Sequence, residues 1–326
     1  EIVITGTDLE VELVANVSAN VEAPGEVTLP AKKLLDIVKN LPDSKEIAIE
    51  VDETKAKLKC DRSRFTLTTL PASDFPVLDS IGDASVVKID GKEFRDIIDK
   101  THFSMAIQDV RYYLNGLLLE VTTDWLRTVA TDGHRLALAE KNQTTEFQEK
   151  RQVILPRKGV QELLKLLNDC DQEIGVEVGT NHIRVEQSDI RFTTKLIDGR
   201  FPDYERVIPK EGKIELDMEK SLIKDALVRV AILSNDKFKG IRFNLNNDKL
   251  TVQAHNPEQE EAEEQIAVEY QGNEIEIGFN VNYLIDAINA INSDNITINL
   301  TDSNSSCLLY GEESEQSKYV VMPMRL

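Results

Sequence analysis

Long apolar runs are missing from this chain. No stretch approaches the roughly 18–20 residues that a membrane-crossing helix needs, and the opening residues carry no charged-then-apolar secretory pattern. Cysteine is scarce. Cys60, Cys170 and Cys307 are an odd number without CxxC spacing, which argues against a disulfide framework and fits isolated reduced thiols in a cytoplasmic protein. Histidine is scarce as well. His102, His134, His182 and His255 share no ligand spacing, so neither a metal nor another cofactor is expected. No GxxxxGK[ST] phosphate loop occurs, so ATP handling is expected to belong to another protein. The 15 glycines and 10 prolines are too few for a fibrous or low-complexity chain. A basic balance is absent too. The formal charge of −20 excludes a chain that is basic all over, but not a local basic face.

What is present is a repeat. At 326 residues the chain is too long for one ordinary core, and two or three domains are expected. Thr7-Asp8 follows the apolar run Ile2-Val3-Ile4. Thr131-Asp132 follows Val129-Ala130, and His255-Asn256 follows Leu250-Thr251-Val252-Gln253-Ala254. Both steps are 124 residues. A strand ending in a small polar corner, found three times at one spacing, points to triplication. Phe75-Pro76 and Phe201-Pro202, 126 residues apart, close the first two blocks.

Apolar periodicity predicts helices over 31–40, 91–100, 157–168, 218–232 and 281–291, with strands of alternating polarity between them, among them 113–121, 125–130, 136–140, 240–245, 249–254 and 264–270. The acidic run 258–264 reads by composition as a solvated loop. The expected fold class is α+β, each block holding two half-units of a helix plus strands. The expected domains are 1–84, 85–211 and 212–326. Blocks two and three show both helices, whereas block one shows only its second. Projecting the repeat backwards leads us to expect roughly forty further residues before Glu1. Their absence would leave half of domain one missing and part of its core uncovered.

Charge is unevenly placed. Lys32, Lys33, Lys39, Lys92, Arg95, Lys100, Arg157, Lys158, Lys165, Lys220, Lys224 and Arg229 give the helical stretches a positive balance in an acidic chain. Solvated helix faces often carry lysine. The sharper reading is a set of helices facing a polyanion, since phosphate neutralisation needs no sequence readout. Asp132 and His134 invite a second reading, a hydrolase with an acid–base pair. That chemistry also needs a placed nucleophile or metal, and the other corners carry Thr7-Asp8-Leu9 and His255-Asn256-Pro257 instead. Thus no enzyme is expected. A third reading is a repeat scaffold without DNA.

Four motifs carry a family resemblance. They are Thr131-Asp132-Gly133-His134-Arg135-Leu136-Ala137, Asp198-Gly199-Arg200-Phe201-Pro202-Asp203-Tyr204, the run from Asn256 to Glu264, and the terminal Tyr319-Val320-Val321-Met322-Pro323-Met324-Arg325-Leu326. In this order they resemble the bacterial sliding clamp, the beta subunit of DNA polymerase III. The resemblance implies the DNA-clamp fold: three repeated domains per chain, head-to-tail homodimerisation, helices lining a ring and sheets outside. It implies a processivity factor that encircles double-stranded DNA without sequence preference. The implied partners are the polymerase III catalytic subunit, the clamp loader, translesion polymerases and mismatch repair proteins, with no membrane. It also implies a peptide groove made of Leu114, Thr131, Gly133, His134, Arg135, Leu136, Pro202, Arg206, Val207, Ser306, Val320, Met322, Pro323, Met324 and Leu326. DNA contacts are implied at Gln108, Arg111, Tyr112, Tyr113, Arg157 and Lys158. The implied dimer interface sets Arg62, Arg64 and Leu67 against Ile232, Leu233, Gln259, Glu260, Glu261, Glu263 and Glu264. Acidic and basic ends on one chain suit a heterologous ring.

Overall fold

The computed structural model describes every residue except Glu53, Asp79, Ser80, Asp83, Lys210, Glu211, Glu313, Ser314, Glu315 and Leu326. The chain forms two compact units. The first is Glu1–Ser80 with Ser188–Thr193, and the second is Ile81–Gln187 with Thr194–Leu326.

In the first unit, β1 (Ile2–Thr7) and β2 (Val11–Val17) form an antiparallel hairpin in which Thr7 faces Glu12. The helix α1 (Ala31–Lys39) precedes a meander of β3 (Ala48–Asp52), β4 (Lys55–Cys60) and β5 (Ser63–Thr68). Leu34 and Ile37 of α1 pack on Ala56, Leu58 and Leu67, the inward residues of alternating strands. Cover is thin elsewhere. No residue of α1 is fully buried, and Val3, Ile4, Leu35, Ile49 and Val51 are exposed.

The second unit holds β6 (Ser85–Asp90), α2 (Gly91–Asp99), β7 (Gly116–Val121), β8 (Trp125–Thr131), β9 (Arg135–Asn142), β10 (Arg151–Pro156), α3 (Arg157–Leu166), β11 (Glu173–Val178) and β12 (His182–Gln187). The strand β13 (Ile190–Lys195) is divided between the units. Then come β14 (Ile214–Glu219), α4 (Lys220–Ala231), β15 (Gly240–Asn246), β16 (Lys249–His255), β17 (Glu261–Ala267), β18 (Ile275–Asn280), α5 (Val281–Ala290), β19 (Asn295–Leu300), β20 (Cys307–Gly311) and β21 (Ser317–Val321). Each of its four helices starts directly where a strand ends. Asp90 and Asn280 cap α2 and α5 by accepting two backbone N–H bonds each, which satisfies donors that have no partner inside the helix. Among the described residues no helix is long and apolar enough to cross a membrane.

Eight strands run in one sheet, in the order β10-β7-β8-β9-β21-β20-β19-β14. Its middle is a seam between distant parts of the sequence: β9 pairs antiparallel with β21, Leu136 opposite Val320 and Arg135 opposite Val321. A four-stranded sheet β17-β16-β15-β18 stands beside α4 and α5.

Several expectations shift. The strand expected from Tyr113 starts at Gly116, because Tyr112–Asn115 winds into a 3₁₀ turn. The acidic run 258–264 is not all loop: β17 begins at Glu261 and forms the edge of its sheet. The strands β10 and β18 have no counterpart among the expected strands.

Candidate functional site

The repeated corner is one turn built twice from the same bonds. In the first copy the Thr7 hydroxyl donates to Val11 O at 2.8 Å and accepts from Leu9 N at 3.1 Å. Asp8 Oδ1 accepts from Glu10 N and Val11 N at 3.0 and 2.8 Å. In the second, Thr131 donates to Arg135 O at 2.6 Å and accepts from Gly133 N at 3.1 Å. Asp132 Oδ1 accepts from His134 N and Arg135 N at 2.9 and 3.0 Å. The third residue is left-handed in both, with φ of 77° at Leu9 and 90° at Gly133. The third copy is one residue longer: His255 faces Glu261 where Thr131 faces Leu136. There Asn256 Oδ1 accepts from Glu260 N at 2.9 Å. Short polar side chains hold such turns by mimicking backbone acceptors.

Asp132 is therefore occupied by the turn, and its other oxygen pairs with Arg135 Nε at 3.1 Å. The described residues hold no group of three or more His, Cys, Asp or Glu placed for a metal ion.

Around the second corner the sheet seam gathers remote segments. Leu114, Leu136 and Val320 share a buried cluster with Leu118, Phe201, Tyr204 and Leu308, with Val207 packed half-buried against it. The chain continues past β21 along the corner: Met322 N donates to His134 O at 2.9 Å, and Met324 N donates to Gly278 O at 2.8 Å. The Ser306 hydroxyl donates to the Met322 sulfur at 2.9 Å. Met322, Pro323 and Met324 are half-buried, while Pro202, Gly133, His134 and Arg206 are exposed. Leu326 lies outside the described residues. Arg135 turns elsewhere. Its guanidinium reaches Asp286 of α5 at 2.5 Å, donates to Phe103 O at 2.9 Å, and lies 4.5 Å from the Tyr283 ring centre.

One constellation was not singled out from the sequence. Glu120 sits fully buried in β7. It accepts from the Tyr204 hydroxyl and the Gln152 amide, and Lys150 Nζ lies at 2.6 Å. Arg127 donates to Tyr204 Oη at 2.8 Å and to Glu140 at 2.7 Å. Burial, and then the bond to Glu120, push the Tyr204 phenol above the tyrosine range, so it keeps its proton and donates. A lone Glu within the run Leu117-Leu118-Leu119-Glu120-Val121 was the available signal, since a buried carboxylate must be paired.

Similarity to known proteins covers the whole length. Residues 1–79, 88–203 and 205–325 match the family models of the N-terminal, central and C-terminal domains of the DNA polymerase III beta subunit. The beta sliding clamp of Pseudomonas aeruginosa is 51% identical over 324 residues, 99% of this chain and 88% of that protein. That of Escherichia coli K12 is 47% identical over the same shares. The chain belongs to the beta sliding clamps, the DNA polymerase III beta subunit family.

Solved structures agree. A Pseudomonas aeruginosa sliding clamp bound to griselimycin superposes with a TM-score of 0.94 at 51% identity, over 99% of this chain and 88% of that one. A Caulobacter crescentus clamp does so at 0.93 and 35%, over the same shares. The clamp fold with three repeated domains and the role of DNA sliding clamp follow, and these relatives lend the hydrolase alternative no support.

The remaining expected residues of this beta clamp are dispersed. Gln108, left-handed at φ 55°, Arg111 and Tyr112 are exposed, and Tyr113 is half-buried. Arg111 is engaged by Asp109 at 2.8 Å and donates to Asp132 O at 3.3 Å, which ties this loop to the corner. Arg111, through side-chain and backbone bonds, holds the Asp109 carboxyl down at about 2. Arg157 is half-buried and donates to Met105 O at 3.2 Å, and Lys158 is exposed. Arg62 and Arg64 are exposed, but Leu67 is buried inside its own unit. Ile232 is 75% exposed and Leu233 half-buried. Gln259, Glu260, Glu261 and Glu263 are exposed, whereas Glu264 is half-buried and paired with Arg229 at 2.6 Å.

Proposed function

We propose that the seam between β9 and β21 is the docking site through which this clamp holds its protein partners. The observation that supports it is convergence. Val207, Met322, Pro323 and Met324, from two remote segments, offer half-buried apolar surface beside one buried cluster and the Thr131–Arg135 corner. Methionines adapt their shape, which suits a surface shared by several partners. Those partners are the polymerase catalytic subunit, the clamp loader, translesion polymerases and mismatch repair proteins. Griselimycin, bound by the Pseudomonas aeruginosa relative, is the probe of choice. The domain limits 1–84, 85–211 and 212–326 remain our division of the chain.

The clamp acts in the cytoplasm as a head-to-tail homodimer closed around duplex DNA, and it catalyses no reaction. Exposed Arg62 and Arg64 in the first unit and the acidic edge strand β17 in the second carry opposite charge, which suits such closure. Contacts to DNA through Arg111, Tyr112 and Lys158 are weak, salt-sensitive and indifferent to sequence.

Met322→Lys tests the docking site, and the parent chain tests the ring. A charge at that position must be desolvated when an apolar ligand enters, which costs several kcal/mol and removes detectable binding at a micromolar site. The variant loses griselimycin in calorimetry, whereas the parent chain, once loaded, stays on circular duplex DNA and slides off when the circle is cut. Normal griselimycin binding would displace the docking site from the seam, and equal retention on linear DNA would remove the ring.

A further inference from the structure

We propose that Tyr204 is a positioning residue: its hydroxyl, fixed between Glu120 and Arg127, holds in place the wall that Pro202, Arg206 and Val207 give to the docking site. The inference rests on the docking reading above and deepens it.

The wall has little stability of its own. Tyr204–Arg206 is a three-residue 3₁₀ turn without a side-chain cap, and such short turns persist only when tertiary contacts fix them. Its Arg206–Asp203 ion pair, 2.7 Å long, is local and ties the segment to nothing else. Two side chains anchor it by burial, Phe201 and Tyr204. The described hydrogen bonds and ion pairs from 201–207 to the sheet all end on Glu120 and Arg127. They are the Tyr204 hydroxyl to Glu120, Arg127 Nη1 to Tyr204 at 2.8 Å, and Arg127 to Glu205 at 3.6 Å. Apolar packing alone leaves a segment free to slide, because it is not directional. A hydroxyl held by a carboxylate on one side and a guanidinium on the other fixes both place and orientation. Arg127 is itself fixed by Glu140 at 2.7 Å.

The same arginine touches a built-in reporter. Trp125 is the single tryptophan of the chain, and the Arg127 guanidinium carbon lies 4.2 Å from its ring centre. Thr131 lies six residues further along β8, about 20 Å at the usual rise. The corner is thus remote from Trp125, while the wall connects to it through Arg127.

The experiment uses the full chain, griselimycin as probe, and the variants Tyr204→Phe, Arg127→Lys and Met322→Lys. Tyr204→Phe keeps the ring and its burial and removes one oxygen. We expect griselimycin to bind about tenfold more weakly, the loss expected for a partly felt hydrogen bond to charged groups. We also expect griselimycin to change Trp125 emission in the parent protein and to change it less in Tyr204→Phe. Arg127→Lys keeps a charge beside Glu140 but loses the fork that holds Tyr204, so it weakens binding likewise even if Tyr204→Phe proves poorly folded. If both variants bind as the parent does while Met322→Lys does not bind, the positioning role is wrong and the docking site stands. If Met322→Lys also binds normally, the docking reading falls and this inference falls with it.

Discussion

Asp109 and Arg111 show how one residue can be committed before any partner arrives. Arg111 faces outward, as a phosphate contact must, yet its guanidinium is engaged by Asp109. A phosphate has to compete for it. The pairing also has a pH signature. The Asp109 carboxyl is held below its ordinary 3.8, at about 2. A depressed carboxylate stabilises the fold above the unfolded value, and that contribution disappears as pH falls from there towards the folded value. The loop should therefore stay fastened throughout the neutral range and loosen between about 3.8 and about 2. Carboxyl NMR should find the Asp109 midpoint near the lower figure, returning towards the upper one in Arg111→Ala. An ordinary midpoint in the parent chain would mean the pair does not persist in solution. Some residues announced their roles in the sequence and others did not. Thr131 and Asp132 were legible as a turn because their chemistry is local. Tyr204 was not, because its partners Glu120 and Arg127 lie more than seventy positions away and only the sheet brings them together.

The corner carries a prediction at the scale of the element. Both well-matched copies need a left-handed third residue, yet one has glycine and the other leucine. A side chain in that conformation costs roughly 1–2 kcal/mol. Gly133→Ala should lose about that much stability, the more so because the new Cβ would meet the Arg111 guanidinium at 3.1 Å. Leu9 is 57% exposed, so removing its side chain forfeits little burial. In Leu9→Gly the relief of strain and the added chain entropy nearly cancel, leaving a change within about 1 kcal/mol. Urea unfolding of the two variants checks this, and an equal loss in both would mean the turns are not equivalent. The five helices were foreseen to within about two residues at each end, because apolar spacing and polar caps are local signals. The strands β10 and β18 are harder to read: Arg151-Gln152 opens β10 and Pro156 ends it, and β18 is a short run from Ile275 to Asn280 interrupted by Glu276 and Gly278. The true start of β17 was masked by its glutamates, which an edge strand tolerates.

For the molecule as a whole, the decisive feature is the pairing of β9 with β21. It makes one sheet of strands that the sequence places in separate repeats. Periodicity could expose the repeats but not this join, because nothing local in 135–142 specifies which strand lies beside it. Leu117 of β7 and Ile298 of β19, both fully buried, stand on opposite sides of the join. Leu117→Ala and Ile298→Ala should each cost about 2–5 kcal/mol and shift the same unfolding step. Hydrogen exchange should speed up in β7 and β19 together in either variant; loss confined to the mutated side would show that the repeats unfold separately. The join has a further consequence. Anything that grips both Val207 and Met322 straddles it, so the repeats cannot part without first shedding that occupant. Occupancy then works as a rivet: at a hundred times its dissociation constant, a bound molecule adds about 2.7 kcal/mol to the work of separation. A clamp carrying cargo is on this account mechanically stronger than an idle one, and the reinforcement lies where the two repeats meet.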